Sequence, residues 1–136
     1  MSRGLGTLKG SFLPALNPRS HPHTLILGTQ PSDDSLTASR YYNTHTNALW
    51  HIVGDALGFR RGWLDSRGRG PPESIQRSLL HEEVVESYDD ALRILTSRGY
   101  VLWDVLRESR REGSLGTQTC KEPERGGRAH ASSAPC

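Results

Sequence analysis

Two short apolar runs constrain the fold more than any other feature of this sequence. The first, TLILG, occupies residues 24–28, and the second, YVLWDVL, occupies residues 100–106. Continuous apolar runs of this length are typical of strands buried on both faces of a parallel sheet. Parallel strands need a long crossover between them, which helices usually provide. We therefore expect an α/β fold in which both runs belong to one parallel sheet.

Helical patterns fill the interval between the two runs. Apolar residues recur at helical spacing from about 47 to 58, where Gly58 supplies a stop. A second stripe follows a capping pair, Ser87 and Asp90, and ends near Gly99. The order strand, helices, strand predicts a βαβ-type unit.

The connecting segments are less regular. After the first strand, a short helix is expected, with Asp33, Asp34 or Ser35 as its cap. Residues 60–74 are rich in Gly, Pro and Arg and predict an exposed loop.

Length and composition limit the classes of protein that fit. The 136 residues suggest one domain, and the net charge of +2 does not by itself indicate nucleic acid or a membrane. No apolar run approaches the roughly 20 residues that span a bilayer. We therefore expect a soluble, intracellular protein.

Its two cysteines form no C-x-x-C pair, and no metal site is expected.

We expect the chain to divide into three parts, of which the last differs in composition. We expect a flexible N-terminus over residues 1–10, a folded domain over 11–115 and a disordered tail over 116–136. The tail lacks periodicity and almost lacks large apolar residues. It cannot bury enough surface to offset the entropy of ordering.

The turn GTQP directly follows the first strand and is the first candidate binding site. In open parallel sheets, ligands bind beyond the carboxyl ends of the strands. Gly28 allows close approach of a ligand, Pro31 stiffens the turn, and the backbone N–H groups of Thr29 and Gln30 can face a ligand oxygen. The stretch matches neither a Walker A loop nor a G-x-G-x-x-G fingerprint. On spacing alone, an ordinary strand–helix loop explains these residues better than a binding site does.

The second candidate is RYYNTHTNALW, residues 40–50. Aromatic rings beside amides suit a pocket that stacks a planar base and hydrogen-bonds its edge. Other interpretations stay open. Asn47 can simply cap the following helix, His45 can be a loop residue, and Trp50 can belong to the core.

Taken in order, the two clusters resemble the first active-site region of the uracil-DNA glycosylase superfamily, in particular its hypoxanthine-DNA glycosylase (DNA-deoxyinosine glycosylase) branch. That branch has a strand, then G-[ST]-x-P, a Ser-Leu pair, a Tyr-Tyr pair, and N-x-[FL]-W at the start of a helix. The matching residues are Gly28, Thr29, Pro31, Ser35, Leu36, Tyr41, Tyr42, Asn47, Leu49 and Trp50.

The resemblance implies a three-layer α/β/α domain with a parallel central sheet. Its implied activity is hydrolysis of the N-glycosidic bond of a deaminated base, hypoxanthine or uracil, flipped out of DNA, as in base excision repair. It implies no metal and no cofactor, since protein dipoles can stabilise the departing base. The implied partner is DNA with a deaminated base, with no membrane, and we expect a monomer.

The same resemblance assigns roles to individual residues. The catalytic residue is Asn47, because relatives with a G-x-N-P turn place an Asn where this chain has Gln30. Substrate contacts are implied for the turn and for the cluster beyond it: Gly28, Thr29, Gln30, Pro31, Tyr41, Tyr42 and His45. Relatives commonly carry a His-Pro pair before the helix, where this chain has Thr44, His45 and Thr46.

The resemblance covers roughly residues 11–115. The family usually continues with further strands, helices and a second active-site loop, whereas this chain continues with its polar tail. We therefore expect a domain that is incomplete on its C-terminal side. Two other hypotheses follow: a catalytically inactive fragment with at most weak nucleic-acid binding, or another α/β enzyme acting on a nucleotide or sugar.

Overall fold

The computed structural model describes residues 6–80 and 83–111, so the expected tail over 116–136 lies outside the described residues. In chain order the elements are β1 Thr7–Gly10, β2 Thr24–Gly28, α1 Asp33–Ala38, α2 Leu49–Leu57, β3 Arg60–Arg61, α3 Glu73–Ser78, β4 Val84–Val85, α4 Tyr88–Ser97, β5 Tyr100–Asp104 and β6 Glu108–Arg111.

The two apolar runs form β2 and β5, and these strands pair in parallel. Their register places Gly28 opposite Asp104, at the carboxyl end of both strands. The strands β3 and β4 are also parallel, whereas β1 and β6 are antiparallel. Each of these sheets has two strands within the described residues. The expected α/β class with parallel pairing is confirmed.

The expectation that β2 is buried on both faces is wrong for the described residues. Ile26 and Leu102 lie opposite each other and pack into the core. The other face carries Leu25 and Leu27, each 52% exposed, and Trp103, 43% exposed. We call these three residues the open face. The helix α4 packs against β5 on the core side, and no helix of the described residues covers the open face.

The core is built around three aromatic rings brought together by α2, the segment after β3, and α4. Trp50, Trp63 and Tyr88 meet edge to face, with ring centroids 5.5 to 5.8 Å apart. Such pairs contribute about 0.5–1.5 kcal/mol each beyond their burial. The Trp50 indole also donates to the backbone oxygen of Tyr41 at 2.9 Å, which ties the core to the candidate site.

Helix ends follow the sequence pattern with one correction. Gly58, at a φ of 87°, ends α2, and Ser87 caps α4 through its hydroxyl. The cap of α1 is not Asp33, Asp34 or Ser35. Ser32 fills this role, because its hydroxyl accepts from the Ser35 backbone N–H at 3.2 Å.

Two segments differ from their expected irregular structure. Residues 7–10 form β1, where a flexible N-terminus was expected, because they pair with β6 over the register Thr7 to Arg111. The loop expected over residues 60–74 begins with β3 and ends inside α3. Among the described residues, no helix is long and apolar enough to cross a membrane.

Candidate active site

A cavity of about 300 Å³ lies at the carboxyl ends of β2 and β5. It brings together seven of the eight residues that the sequence assigned to the site. The lining residues are Leu27, Gly28, Thr29, Gln30, Pro31, Ser32, Ser35, Tyr41, Tyr42, Thr44, Asn47 and Asp104. The eighth predicted residue, His45, does not line it.

The GTQP turn is held in place by the β1–β6 pair. The Gln30 side chain donates to the backbone oxygen of Lys9 at 2.6 Å and accepts from the Ser109 hydroxyl. The Arg111 guanidinium donates to the backbone oxygen of Pro31. The Gln30 side chain is therefore committed to the turn. This leaves the backbone of Gln30 as the part that can serve a ligand.

The turn requires a glycine at position 28 because two side chains approach it closely, and not because its backbone conformation excludes other residues. A Cβ atom at Gly28 would lie 2.3 Å from Asp104 Oδ1 and 2.6 Å from the Tyr42 hydroxyl oxygen. Neither distance is sterically allowed. The absence of a side chain lets these two polar groups converge over the end of β2.

The two adjacent tyrosines have different surroundings. Tyr41 is 4% exposed, its hydroxyl donates to the Leu13 backbone oxygen at 3.1 Å, and its backbone N–H donates to the Tyr88 hydroxyl at 3.0 Å. Its ring meets Phe12 edge to face. Tyr41 therefore belongs mainly to the core, although it forms part of the cavity wall.

Tyr42 is half-buried and adopts a φ of 52°. This left-handed conformation is strained for a residue with a bulky side chain, and such strain is concentrated at functional sites. Burial raises the pKa of the Tyr42 hydroxyl, and the charge of Asp104 adds to the effect. The ring is consequently neutral at physiological pH and available to stack on a planar ligand.

Asn47 lies directly before Ala48, the N-cap residue of α2, and lines the cavity. Its Oδ1 accepts from the Leu49 backbone N–H at 2.9 Å, and its own N–H donates to the Thr44 oxygen at 2.9 Å. The hydrogen bond from Leu49 fixes which amide atom of Asn47 is the oxygen. Within the described part of the chain, the Asn47 amide nitrogen donates no hydrogen bond, so this donor is available to a ligand.

His45 lies beside the cavity and points to an acidic partner. Its Nδ1 is 3.4 Å from Asp65 Oδ2. Burial tends to raise the pKa of Asp65, but hydrogen bonds from the Arg69 and Arg67 backbone N–H groups and from the Arg69 side chain lower it to about 2. His45 is therefore held next to a permanent negative charge.

Sequence reasoning missed two residues that shape the site. Arg61 is 1% exposed and donates to the backbone oxygens of Thr44 and Asn43 at 3.0 and 2.6 Å, while it stacks on Trp63. Burial lowers its pKa to about 10, with Asp65 opposing and Arg40 adding to the effect. Arg61 thus supports the loop that carries Tyr42 and Asn47. Its sequence context, a basic Gly-rich stretch, gave no signal of burial.

Asp104 is the second missed residue. It is 5% exposed, lines the cavity and accepts from the Ser11 hydroxyl at 2.7 Å. A signal was present, since a carboxylate interrupts an otherwise apolar strand near its carboxyl end. Among the described residues, no group of three or more His, Cys, Asp or Glu side chains is arranged to hold a metal ion.

Comparison with known proteins relates the chain to glycosylases. A hypoxanthine DNA glycosylase of Methanosarcina acetivorans is 32% identical over 90 residues, which are 66% of this chain and 43% of that protein. One of Methanosarcina barkeri is 26% identical over 110 residues, or 81% of this chain and 54% of that protein. The chain thus spans about half the length of these curated relatives.

A solved structure gives the same result. The solution NMR structure of a candidate uracil DNA glycosylase from Methanosarcina acetivorans has a TM-score of 0.54 and 27% sequence identity, with 85% of this chain and 57% of that chain covered. No family model matches the sequence. The ordered motif, the parallel pair that carries it, and these similarities together support assignment to the uracil-DNA glycosylase superfamily, with hypoxanthine DNA glycosylases among the proteins to which the chain is similar.

Proposed function

We propose that this chain carries the base-recognition site of a DNA glycosylase that hydrolyses the N-glycosidic bond of a deaminated base, hypoxanthine or uracil. One observation carries the proposal. The GTQP turn, Tyr42 and Asn47, which the sequence separates, line one cavity at the carboxyl ends of β2 and β5. The cavity volume of about 300 Å³ lies at the lower end of the range of small-molecule pockets.

A flipped base fits the chemistry of this cavity. Flipping costs a few kcal/mol and is easiest for a mispaired base such as hypoxanthine or uracil. The Tyr42 ring stacks on the base, and backbone N–H groups of Thr29 and Gln30 face the base carbonyl, where negative charge develops as the bond breaks. Gly28 and Pro31 shape the turn that presents these groups.

Asn47 has the catalytic role in this proposal. Its Oδ1 has a second lone pair beyond the one used by Leu49, and its amide nitrogen is a free donor within the described residues. These two atoms can orient a water molecule towards the sugar or bond the base edge. His45 and the Arg-rich loop behind it contact the DNA strand beside the flipped nucleotide, because the arginines of that loop can bind phosphate. The enzyme acts on intracellular DNA as a monomer.

The test uses duplex oligonucleotides with a single deoxyinosine or deoxyuridine. After incubation with excess protein, alkali cleaves the strand at each abasic site, and the rate is measured. Asn47→Asp keeps the oxygen that accepts from the Leu49 N–H but removes the amide donor, and Asn47→Ala removes both. We expect both variants to lose at least about 100-fold in rate, the lower end of the contribution of a catalytic group.

The matched control is Asn17→Ala. Asn17 also accepts, through its side chain, from the backbone N–H two residues later, at 2.9 Å, but it lies away from the cavity. Its replacement should leave the rate within about twofold of the wild-type rate. A folded wild-type chain that cleaves neither substrate would contradict the proposal and favour the inactive fragment. Turnover of a free nucleotide or sugar would favour the other α/β enzyme.

A further inference from the structure

The cavity contains a buried carboxylate that the proposed function does not use. Asp104 ends β5 directly opposite Gly28, the residue that ends β2. It is 5% exposed, although it belongs to the cavity wall. A buried carboxylate that lacks an ion-pair partner costs several kcal/mol, so its presence calls for a structural or chemical reason.

The geometry gives the two carboxylate oxygens different surroundings. Oδ2 accepts from the Ser11 hydroxyl at 2.7 Å, which anchors the group from the segment after β1. Oδ1 is the atom nearest to the empty Cβ position of Gly28, at 2.3 Å, and the Tyr42 hydroxyl lies 2.6 Å from the same point. One oxygen therefore orients the group, and the other faces the Gly28 edge of the cavity beside Tyr42.

Within residues 6–80 and 83–111, Asp104 forms no structural ion pair. Among the described residues, no Lys, Arg or His side chain lies within 4.0 Å of its carboxylate. Burial raises the pKa of Asp104, while the Ser11 hydrogen bond and the charge of Arg111 oppose the increase. A buried, oriented carboxylate with a raised pKa at a cavity is the usual state of a general base.

We propose that Asp104 is a second catalytic residue, the base that takes a proton from the water molecule that attacks the sugar. This inference rests on the proposed function. In the step, the water oxygen forms a bond to C1′, and one water proton passes to Asp104 Oδ1. The bond from C1′ to the base nitrogen breaks, and its electron pair leaves with the base, which takes a proton from solvent. Asp104 then returns its proton to solvent.

Asp104→Asn is the direct test, because it keeps the shape and removes the base. We expect a loss of at least about 100-fold in the single-turnover rate on the deoxyinosine or deoxyuridine duplex. The control is Asp89→Asn, the same change at an exposed position on α4, and it should retain the wild-type rate.

The pH profile separates a catalytic role from a structural one. The wild-type rate should fall about tenfold per pH unit below an apparent pKa, because the protonated carboxyl cannot act as a base. Ser11→Ala removes a hydrogen bond that lowers the pKa of Asp104, so this acidic limb should move to higher pH. The other ionisable groups that face Asp104 are Tyr41, Tyr42 and Arg111. Burial raises the pKa of both tyrosine hydroxyls, so they stay neutral across pH 4–9.

Each outcome has one meaning. Wild-type cleavage with an equally active Asp104→Asn variant overturns this inference and leaves the proposed function intact. A wild-type chain without activity on either duplex overturns both. If Asp104→Asn does not fold, Ser11→Ala decides: a shifted acidic limb supports the inference, and an unchanged limb overturns it.

Discussion

At the scale of single residues, Gly28 determines how closely Asp104 and Tyr42 approach the end of β2. Gly28→Ala would place a Cβ atom 2.3 Å from one and 2.6 Å from the other. Both groups must move, so we expect a loss of about 1–3 kcal/mol in unfolding free energy, the usual cost of overpacking. The glycosylase rate should fall at least tenfold. Urea denaturation and single-turnover kinetics measure the two effects.

A second glycine provides the control for that change. A Cβ atom at Gly10 would have Arg107 O as its nearest neighbour, at 4.0 Å. Gly10→Ala should therefore leave stability within about 0.5 kcal/mol, as ordinary surface changes do. If the two variants lose the same unfolding free energy, Asp104 and Tyr42 do not exclude a side chain at position 28.

Asp65 links stability to pH at the same scale. Its side chain is fully buried, and its pKa is about 2 in the folded chain against 3.8 for the free group. The folded state therefore favours the ionised form, and this contribution is present above about pH 4 and lost as the pH falls towards 2. The difference corresponds to about 2 kcal/mol.

The corresponding measurement is urea denaturation of Asp65→Asn at several pH values. The variant should be less stable than the wild type by about 2 kcal/mol at pH 7, and this gap should shrink between pH 4 and pH 2. Asp90→Asn is the control, because Asp90 is exposed and pairs only at the surface with Arg93. A gap for Asp65→Asn that does not depend on pH would contradict the prediction.

At the scale of secondary-structure elements, the short strand β3 supports the site through Arg61. Its guanidinium donates to two loop oxygens while it stacks on Trp63. Arg61→Lys keeps the charge but cannot reproduce the planar, two-pronged geometry. We expect a loss of about 2–3 kcal/mol in unfolding free energy, because buried carbonyl groups lose their donors. The KM for the oligonucleotide should rise, since the loop carries Tyr42 and Asn47.

Arg60→Lys is the matched control for this prediction. Arg60 belongs to the same strand but is only partly buried, and its hydrogen bond to the Leu79 oxygen is long, at 3.4 Å. The change should cost less than about 1 kcal/mol. A similar loss of stability in both variants would indicate that the strand β3 tolerates no arginine replacement, whether or not the two hydrogen bonds of the Arg61 guanidinium are lost.

The elements also show which parts of the structure local sequence patterns can predict. The helix α4 and the strand β2 were predicted because an amphipathic stripe and an apolar run are local signals. The strands β1 and β6 have the sequences TLKG and ESRR, which carry no such pattern. Their pairing is a long-range contact, and only the folded chain reveals it.

The same limit applies to the candidate site. The turn and Asn47 were predicted from an ordered motif, and the structure places them in one cavity. Asp104 lies opposite Gly28 because of the register in which β2 pairs with β5. The burial of Arg61 depends on the position of the loop above it. Neither relation can be derived from spacing along the chain, because each joins segments that the fold brings together.

At the scale of the whole molecule, the open face is the main departure from a closed domain. Leu25 and Trp103 are 52% and 43% exposed on adjacent strands. A contiguous apolar surface of this kind binds apolar dyes. The double variant Leu25→Thr, Trp103→Thr should reduce the fluorescence of bound anilinonaphthalene sulfonate by at least about half, with less than about 1 kcal/mol lost in unfolding free energy.

Leu102→Thr is the control from the opposite face of β5. Leu102 is fully buried in the core. Its replacement should therefore cost about 2–5 kcal/mol and increase dye binding through partial unfolding. If the open-face double variant is as unstable as Leu102→Thr, the open face must be packed in solution.

The pairing of β1 with β6 and of β2 with β5 has a consequence for the order of folding. Thr7 lies opposite Arg111, and Gly28 lies opposite Asp104, so the cavity is closed by contacts between the two ends of the described chain. Contacts between distant segments form slowly, because the entropy of closing a long loop must be overcome first. A nascent chain that has emerged from the ribosome only as far as Asn47 therefore lacks the cavity, because Asp104 of β5 forms part of its wall. The lining of the cavity is complete only after β5 has been synthesised, and side chains of β6 then hold the GTQP turn in place.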